Sequence, residues 1–188
     1  MRLWFAAIAA LLMALGCSVS AEAQAVAAGR GPGPHVMAGG GLSIFQSDYG
    51  QRQLGGVTLW GDANISHRWG IEGEARWLRL HNDPNGSNQS TYLAGPRFNV
   101  MTRSVRPYVK GLAGVGHFNF PFGYANGNYF VAAPGGGVEW YHKRFALKVV
   151  DVEYQMWPQF SYGAIHPYGI STGITFRLWQ GKSMMSEE

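Results

Sequence analysis

The sequence predicts an all-β chain: eight antiparallel strands closed into an up-and-down barrel that crosses a membrane. Three observations carry the prediction. Eight amphipathic segments of about 11 residues follow one another, and a tilted membrane-spanning strand needs ~9–11. The connectors between them alternate short and long, as in barrels with turns on one side and loops on the other. The N-terminus directs export, and no later stretch is apolar for long enough to be a spanning helix.

The chain has 188 residues, 46% hydrophobic and 14% aromatic but only 14% charged. Met1-Arg2 supplies a positive charge, residues 3–16 are apolar, and Ala21-Glu22-Ala23 is a small-x-small cleavage site. Residues 1–23 therefore read as a signal peptide, with Ala23-Gln24-Ala25 as a second cleavage choice. A lipidated Cys17 is the weaker reading, because Ala14 occupies the position where a lipoprotein box carries Leu. Cys17 is the only cysteine, so the exported chain is expected to lack thiols, disulfides and thiolate metal sites. Residues 24–34 read as a linker, 35–179 as the barrel and 180–188 as a polar tail. The net charge of +4 does not point to nucleic acid, since no basic cluster exceeds His142-Lys143-Arg144.

The eight segments are His35–Phe45, Gly55–Ile65, Gly70–Leu80, Thr91–Met101, Pro107–His117, Asn128–Trp140, Phe145–Gln155 and Ile165–Leu178. Side chains alternate faces along a strand. In the second, Val57, Leu59, Gly61, Ala63 and Ile65 oppose Thr58, Trp60, Asp62 and Asn64. In the third, Ile71, Gly73, Ala75 and Trp77 oppose Glu72, Glu74 and Arg76. In the fourth, Ala94, Pro96, Phe98 and Val100 oppose Gly95, Arg97 and Asn99. In the last, Ile170, Ile174, Phe176 and Leu178 oppose Ser171, Thr175 and Arg177. A membrane barrel turns the apolar set toward lipid.

Two segments break the pattern. Pro134 cannot donate a ladder hydrogen bond, which predicts a bulge or bend. Lys148 is out of phase with Asp151 and Glu153, which predicts either a bulge or a rim position. Trp69, Trp77, Tyr92, Tyr108, Trp140, Tyr141 and Trp179 fall near strand ends, where interface girdles lie. Turn formers such as Asn82-Asp83-Pro84-Asn85-Gly86 mark the long connectors.

Within the last strand, Ser171-x-Gly173-x-x-Phe176-x-Leu178 resembles the signal that bacterial outer-membrane proteins present to the barrel-assembly machinery. With the tail after Trp179, the signal is expected to be internal. Gly55–Ala63, Gly70–Arg76, Pro107–Gly116 and this strand together resemble the small OmpA/OmpX-like barrels, the "outer membrane protein beta-barrel domain" family. The resemblance implies an eight-stranded barrel in a Gram-negative outer membrane, in contact with lipid and lipopolysaccharide. It implies no single activity.

The candidate lumen charges are Asp62, Glu72, Glu74, Arg76, Arg97, Lys110, Glu139, Asp151, Glu153 and Arg177. An eight-stranded barrel is just wide enough to be filled by side chains, so these are expected to pair with one another. A narrow pore is the sharper alternative. A lipid A-modifying enzyme is weaker. Ser66 and His67 are adjacent and point apart on a strand, and Asn119 stands where a serine two residues after His117 would be expected. A soluble barrel binding a lipid-like ligand in an apolar interior is the rival outside the membrane. No His/Asp/Glu spacing predicts a metal, the glycine runs do not open helices as phosphate loops do, and no cofactor is expected. Phe120, Phe122, Tyr124, Trp157, Phe160 and Tyr162 in the long loops are the candidate contacts for an extracellular ligand. The expected role is structural or adhesive, without catalysis.

Overall fold

The computed structural model describes residues 34–48, 53–66, 68–80, 88–100, 104–119, 126–158 and 163–181. The predicted signal peptide and most of the predicted linker and tail lie outside them. Eight strands follow in chain order: β1 (His35–Gln46), β2 (Gln53–Asn64), β3 (Trp69–Leu80), β4 (Asn88–Asn99), β5 (Val105–Asn119), β6 (Asn126–His142), β7 (Phe145–Tyr154) and β8 (Tyr168–Gln180). Each pairs antiparallel with the next, and β8 returns to β1 to close the barrel. Closure gives every strand a hydrogen-bonding neighbour on both sides, which is what a sheet needs where no water can satisfy an open edge.

The connectors at one end are 65–68, 100–104 and 143–144; those at the other are 47–52, 81–87, 120–125 and 155–167. The tightest is the turn from β6 to β7, where Lys143 takes a left-handed backbone with φ 54°. The longest is shaped by its own pairings. Met156 and Ala132 exchange backbone hydrogen bonds, and Trp157 N donates to Ile165 O at 3.0 Å. Ile165 is drawn inward by that bridge, so β8 begins at Tyr168 and not at Ile165 as the sequence pattern suggests.

The alternation in the sequence becomes two faces. Leu42, Ile44, Val57, Leu59, Ile71, Val109, Val115, Val152, Ile170 and Ile174 are exposed on the outer wall, Leu42 by 65%. A monomer in water rarely exposes so continuous an apolar surface; hydrocarbon is the solvent it fits. Aromatic residues edge this band at both ends. Trp69, Trp140 and Trp179 stand exposed toward the short turns, and Trp69 packs edge-on against Phe98 at 5.0 Å. Toward the long loops, Trp77 Nε1 donates to the Tyr92 hydroxyl at 3.1 Å. Trp69 and Trp77 sit on one strand, about 20 Å apart along the axis for ~3.3 Å per residue and ~40° of tilt. That is close to the ~25 Å apolar band of an outer-membrane barrel.

Two expected girdle residues belong elsewhere. Tyr108 is buried in the lumen, where its hydroxyl donates to Asp151. Tyr141 turns inward too, donating to Glu139 Oε2 at 2.8 Å. Both lie on the inward phase of their strands, and proximity to a strand end does not override phase.

The two irregular segments resolve differently. Pro134 causes no register shift: Gly135 pairs with Glu153 and Ala132 with Met156, in one continuous register. Only the ladder lapses at Pro134, which has no N–H to donate toward β7. The bulge lies in β7. Lys148 pairs with Gly173 and Asp151 with Ser171, so Val149 and Val150 together oppose Thr172. The Thr172 hydroxyl donates to the Lys148 carbonyl at 2.9 Å across this bulge. The extra residue returns Lys148 to the same inward face as Asp151 and Glu153, all three buried.

Candidate functional site

Three adjacent inward positions on β3 place Glu72, Glu74 and Arg76 in one file down the lumen. Files from β2, β4, β5, β6 and β7 face them. Arg97 from β4 stands at the centre of the half nearer the short turns. Its guanidinium reaches Asp62 at 3.0 Å, Glu72 at 3.0 Å and Glu139 at 2.6 Å, and its Nε donates to Asn99 at 2.9 Å. Asn99 in turn donates to Asn64 at 2.8 Å. The guanidinium plane lies 3.7 Å from the Tyr108 ring centre.

Lys110 joins the two halves. Its ammonium lies 2.9 Å from Glu74, 2.9 Å from Asp151, 3.1 Å from Glu153 and 3.3 Å from Glu72. Arg76 pairs with Glu74 and, at 2.8 Å, with Glu153, beneath the Phe45 ring. Lys148 reaches Glu72 and Asp151 at 3.3 Å each and sits 4.1 Å above Trp60. Each of these ions is almost wholly removed from water. Isolated, each would be costly there; shared among several partners, the charges are compensated.

Nine of the ten predicted lumen charges meet in this network. Arg177 does not. It is half-buried at the short-turn end and donates to Gln180 Oε1 at 2.9 Å, pairing with no carboxylate among the described residues. Its strand carries it past the last lumen acid, and β8 shifts register there. Lys148 takes a place in the network that the sequence pattern did not assign. Its phase conflict was the available signal, and the bulge is its cause.

Toward the long loops the lumen becomes apolar. Leu93, Leu112, Phe118, Val131, Ala133, Trp157 and Ile165 form one cluster, and Phe45, Leu54 and Leu78 a second. Trp157, expected among exposed loop contacts, is completely buried. The bridge to Ile165 folds it into the barrel mouth, where its Nε1 donates to Gln155 at 3.0 Å. Gly116 makes room: a Cβ there would stand 2.2 Å from the indole. Gln155 links this cap to Glu153 at 2.9 Å and to Gln89 at 3.1 Å. Phe120, Phe122, Tyr124, Phe160 and Tyr162 lie outside the described residues. Of the predicted assembly signal, Phe176 and Leu178 face outward, and Ser171 is buried against Ser43 at 2.8 Å.

The soluble alternative fails on this interior. A carrier of apolar ligands needs an apolar cavity, and here the lumen carries ten buried charged side chains while the apolar wall faces out. Among the described residues no group of His, Cys, Asp and Glu could hold a metal.

An antiparallel barrel of eight strands, apolar outside and ionically filled inside, defines a transmembrane β-barrel. The profile of the outer membrane protein beta-barrel domain family matches residues 8–173, and the chain belongs to that family. It is an outer-membrane protein. The fold is similar to that of the Neisserial surface protein NspA, with a TM-score of 0.64 at 12% identity over 77% of this chain and 97% of that one. It is also similar to Ail, the attachment invasion locus protein of Yersinia pestis, at a TM-score of 0.49 and 20% identity over 78% and 100%. The N-terminal barrel of Pseudomonas aeruginosa OprF matches at a TM-score of 0.47 and 18% identity over 78% and 100%. No curated protein matches the sequence.

Proposed function

We propose that the protein is a non-conducting outer-membrane barrel whose role is structural or adhesive, with any ligand held by its long loops. The observation that supports this best is the lumen. Four buried cations are shared among six buried carboxylates, and an apolar cap lies over them. Such an interior is rigid and specifies register, and it leaves the chemistry of contact to the surface. The lumen itself carries out no catalysis in this reading. Loops on a rigid barrel are the usual place for binding, and the aromatic residues of 120–124 and 160–162 suit it.

Biogenesis completes the reading. The signal peptide ends near Ala23, and the barrel-assembly machinery reads Ser171, Gly173, Phe176 and Leu178. The finished wall then rests in lipid and lipopolysaccharide.

Planar bilayers test the central claim. The purified folded protein is expected to give no stepwise conductance; reproducible unitary steps would replace the plug with a pore. A double Phe176→Ala, Leu178→Ala variant is expected to accumulate less heat-modifiable barrel in cells at equal synthesis.

A further inference from the structure

Along its own strand His117 has no serine partner, but the register supplies one from the next strand. Ser90 on β4 lies directly opposite His117 on β5, and His117 lies directly opposite Asn128 on β6. All three belong to the outer wall: His117 and Asn128 are exposed and Ser90 is half-buried. Directly paired residues hold their Cβ atoms ~4.5–5.5 Å apart, a span that a serine hydroxyl and an imidazole can close. His117 Nδ1 lies 3.0 Å from Asn128 Oδ1. An amide oxygen only accepts, so Nδ1 carries the hydrogen and Nε2 is left as the base. A base held by a third group is the arrangement that activates a serine.

A cavity of about 150 Å³ opens at this point, lined by Arg79, Asn88 and Asn119 as well as Ser90 and His117. Arg79 and Asn119 bring N–H donors to it. Asn88 Oδ1, buried at its wall, has no hydrogen-bond partner among the described residues. The depth is also defined. Ser90 pairs with Trp77, a member of the long-loop girdle. Girdles mark the boundary between headgroups and acyl chains, which is where lipid ester carbonyls lie.

We propose that Ser90, His117 and Asn128 form a serine esterase site on the outer wall, acting on an ester-linked acyl chain of an outer-leaflet lipid. Ser90 Oγ attacks the ester carbonyl carbon while His117 Nε2 takes the hydroxyl proton. Arg79 and Asn119 donate to the carbonyl oxygen as it gains charge. The bond to the lipid alcohol breaks, and His117 returns the proton to that oxygen. Water then attacks the acyl-serine, giving its proton to His117. Collapse releases the fatty acid and restores the Ser90 hydroxyl. Asn128 is a positioning residue.

The test uses the folded full-length barrel in detergent micelles, treated with a fluorophosphonate and mapped by peptide mass spectrometry. Ser90 is expected to carry the label. Ser90→Ala and His117→Ala are expected to abolish it while heat-modifiable migration is retained, since both side chains lie on the outer wall. Asn128→Ala is expected to slow labelling about tenfold or more. Parallel incubations with lipopolysaccharide and with phosphatidylethanolamine vesicles separate the two sources of the ester, and fatty acid released from either supports the site. Labelling without release from either lipid overturns the substrate class. Folded protein that stays unlabelled at Ser90 overturns the site itself, in which case the three residues are ordinary polar neighbours of the girdle.

Discussion

Arg97 holds three carboxylates and an asparagine with a single guanidinium. Removing it leaves Asp62, Glu72 and Glu139 buried without their shared cation. Breaking a buried pair by deleting one partner costs about 3–5 kcal/mol. Arg97→Met is therefore expected to lower the unfolding free energy by about that amount, measured by tryptophan fluorescence against urea in micelles. Arg68→Met, on an exposed turn, is expected to change it by less than about 0.5 kcal/mol. Gly116 makes a second residue-scale case. Gly116→Ala sets a methyl against the Trp157 ring, and overpacking of this kind costs about 1–3 kcal/mol. The indole should leave the mouth, and acrylamide should then quench more of the fluorescence. Unchanged quenching would mean that the backbone absorbs the methyl.

At the scale of the element, β7 carries the most information. Its bulge lets Lys148 and Asp151 share a face although they are three residues apart. Deleting Val149 brings Lys148 and Asp151 two residues apart, so strict alternation puts both on the lumen face and makes the register with β8 continuous. Nothing is then forced toward lipid. The deletion is expected to keep heat-modifiable migration, as Val149→Ala should. Loss of that migration in the deletion alone would mean that the bulge does more than set the phase of Lys148. Most strands needed no such device. In β2, β3, β4 and β8 the inward and outward sets could be read from alternation, because a period of two has only two phases. β7 could be read only as a conflict, and at Pro134 in β6 the ladder lapses without the register shift that a bulge would bring. A proline removes a hydrogen bond without having to insert a residue.

For the molecule as a whole, the reversed polarity is the property to test. Leu59 is exposed midway along β2. Leu59→Arg is expected to destabilise the barrel by about 2–4 kcal/mol in a bilayer, with a smaller effect nearer the girdles. An equal cost at all depths would count against a spanning orientation. High salt should leave the wild-type protein in the membrane fraction, because burial in lipid is not screened by ions.

Strand number, the direction of most faces and the connector alternation were all determined by the sequence alone. These depend on local periodicity, and so does the list of charges destined for the lumen, apart from Lys148 and Arg177. Tertiary structure decided which charges meet. Arg97 and Glu139, or Arg76 and Glu153, are brought together by closure across the barrel, and no local pattern encodes that. Register also turned Trp157 into a cap, excluded Arg177 from the network and aligned Ser90, His117 and Asn128 on three neighbouring strands. Alternation tells each residue whether it faces in or out. Only the pairing of strands tells it who stands beside it.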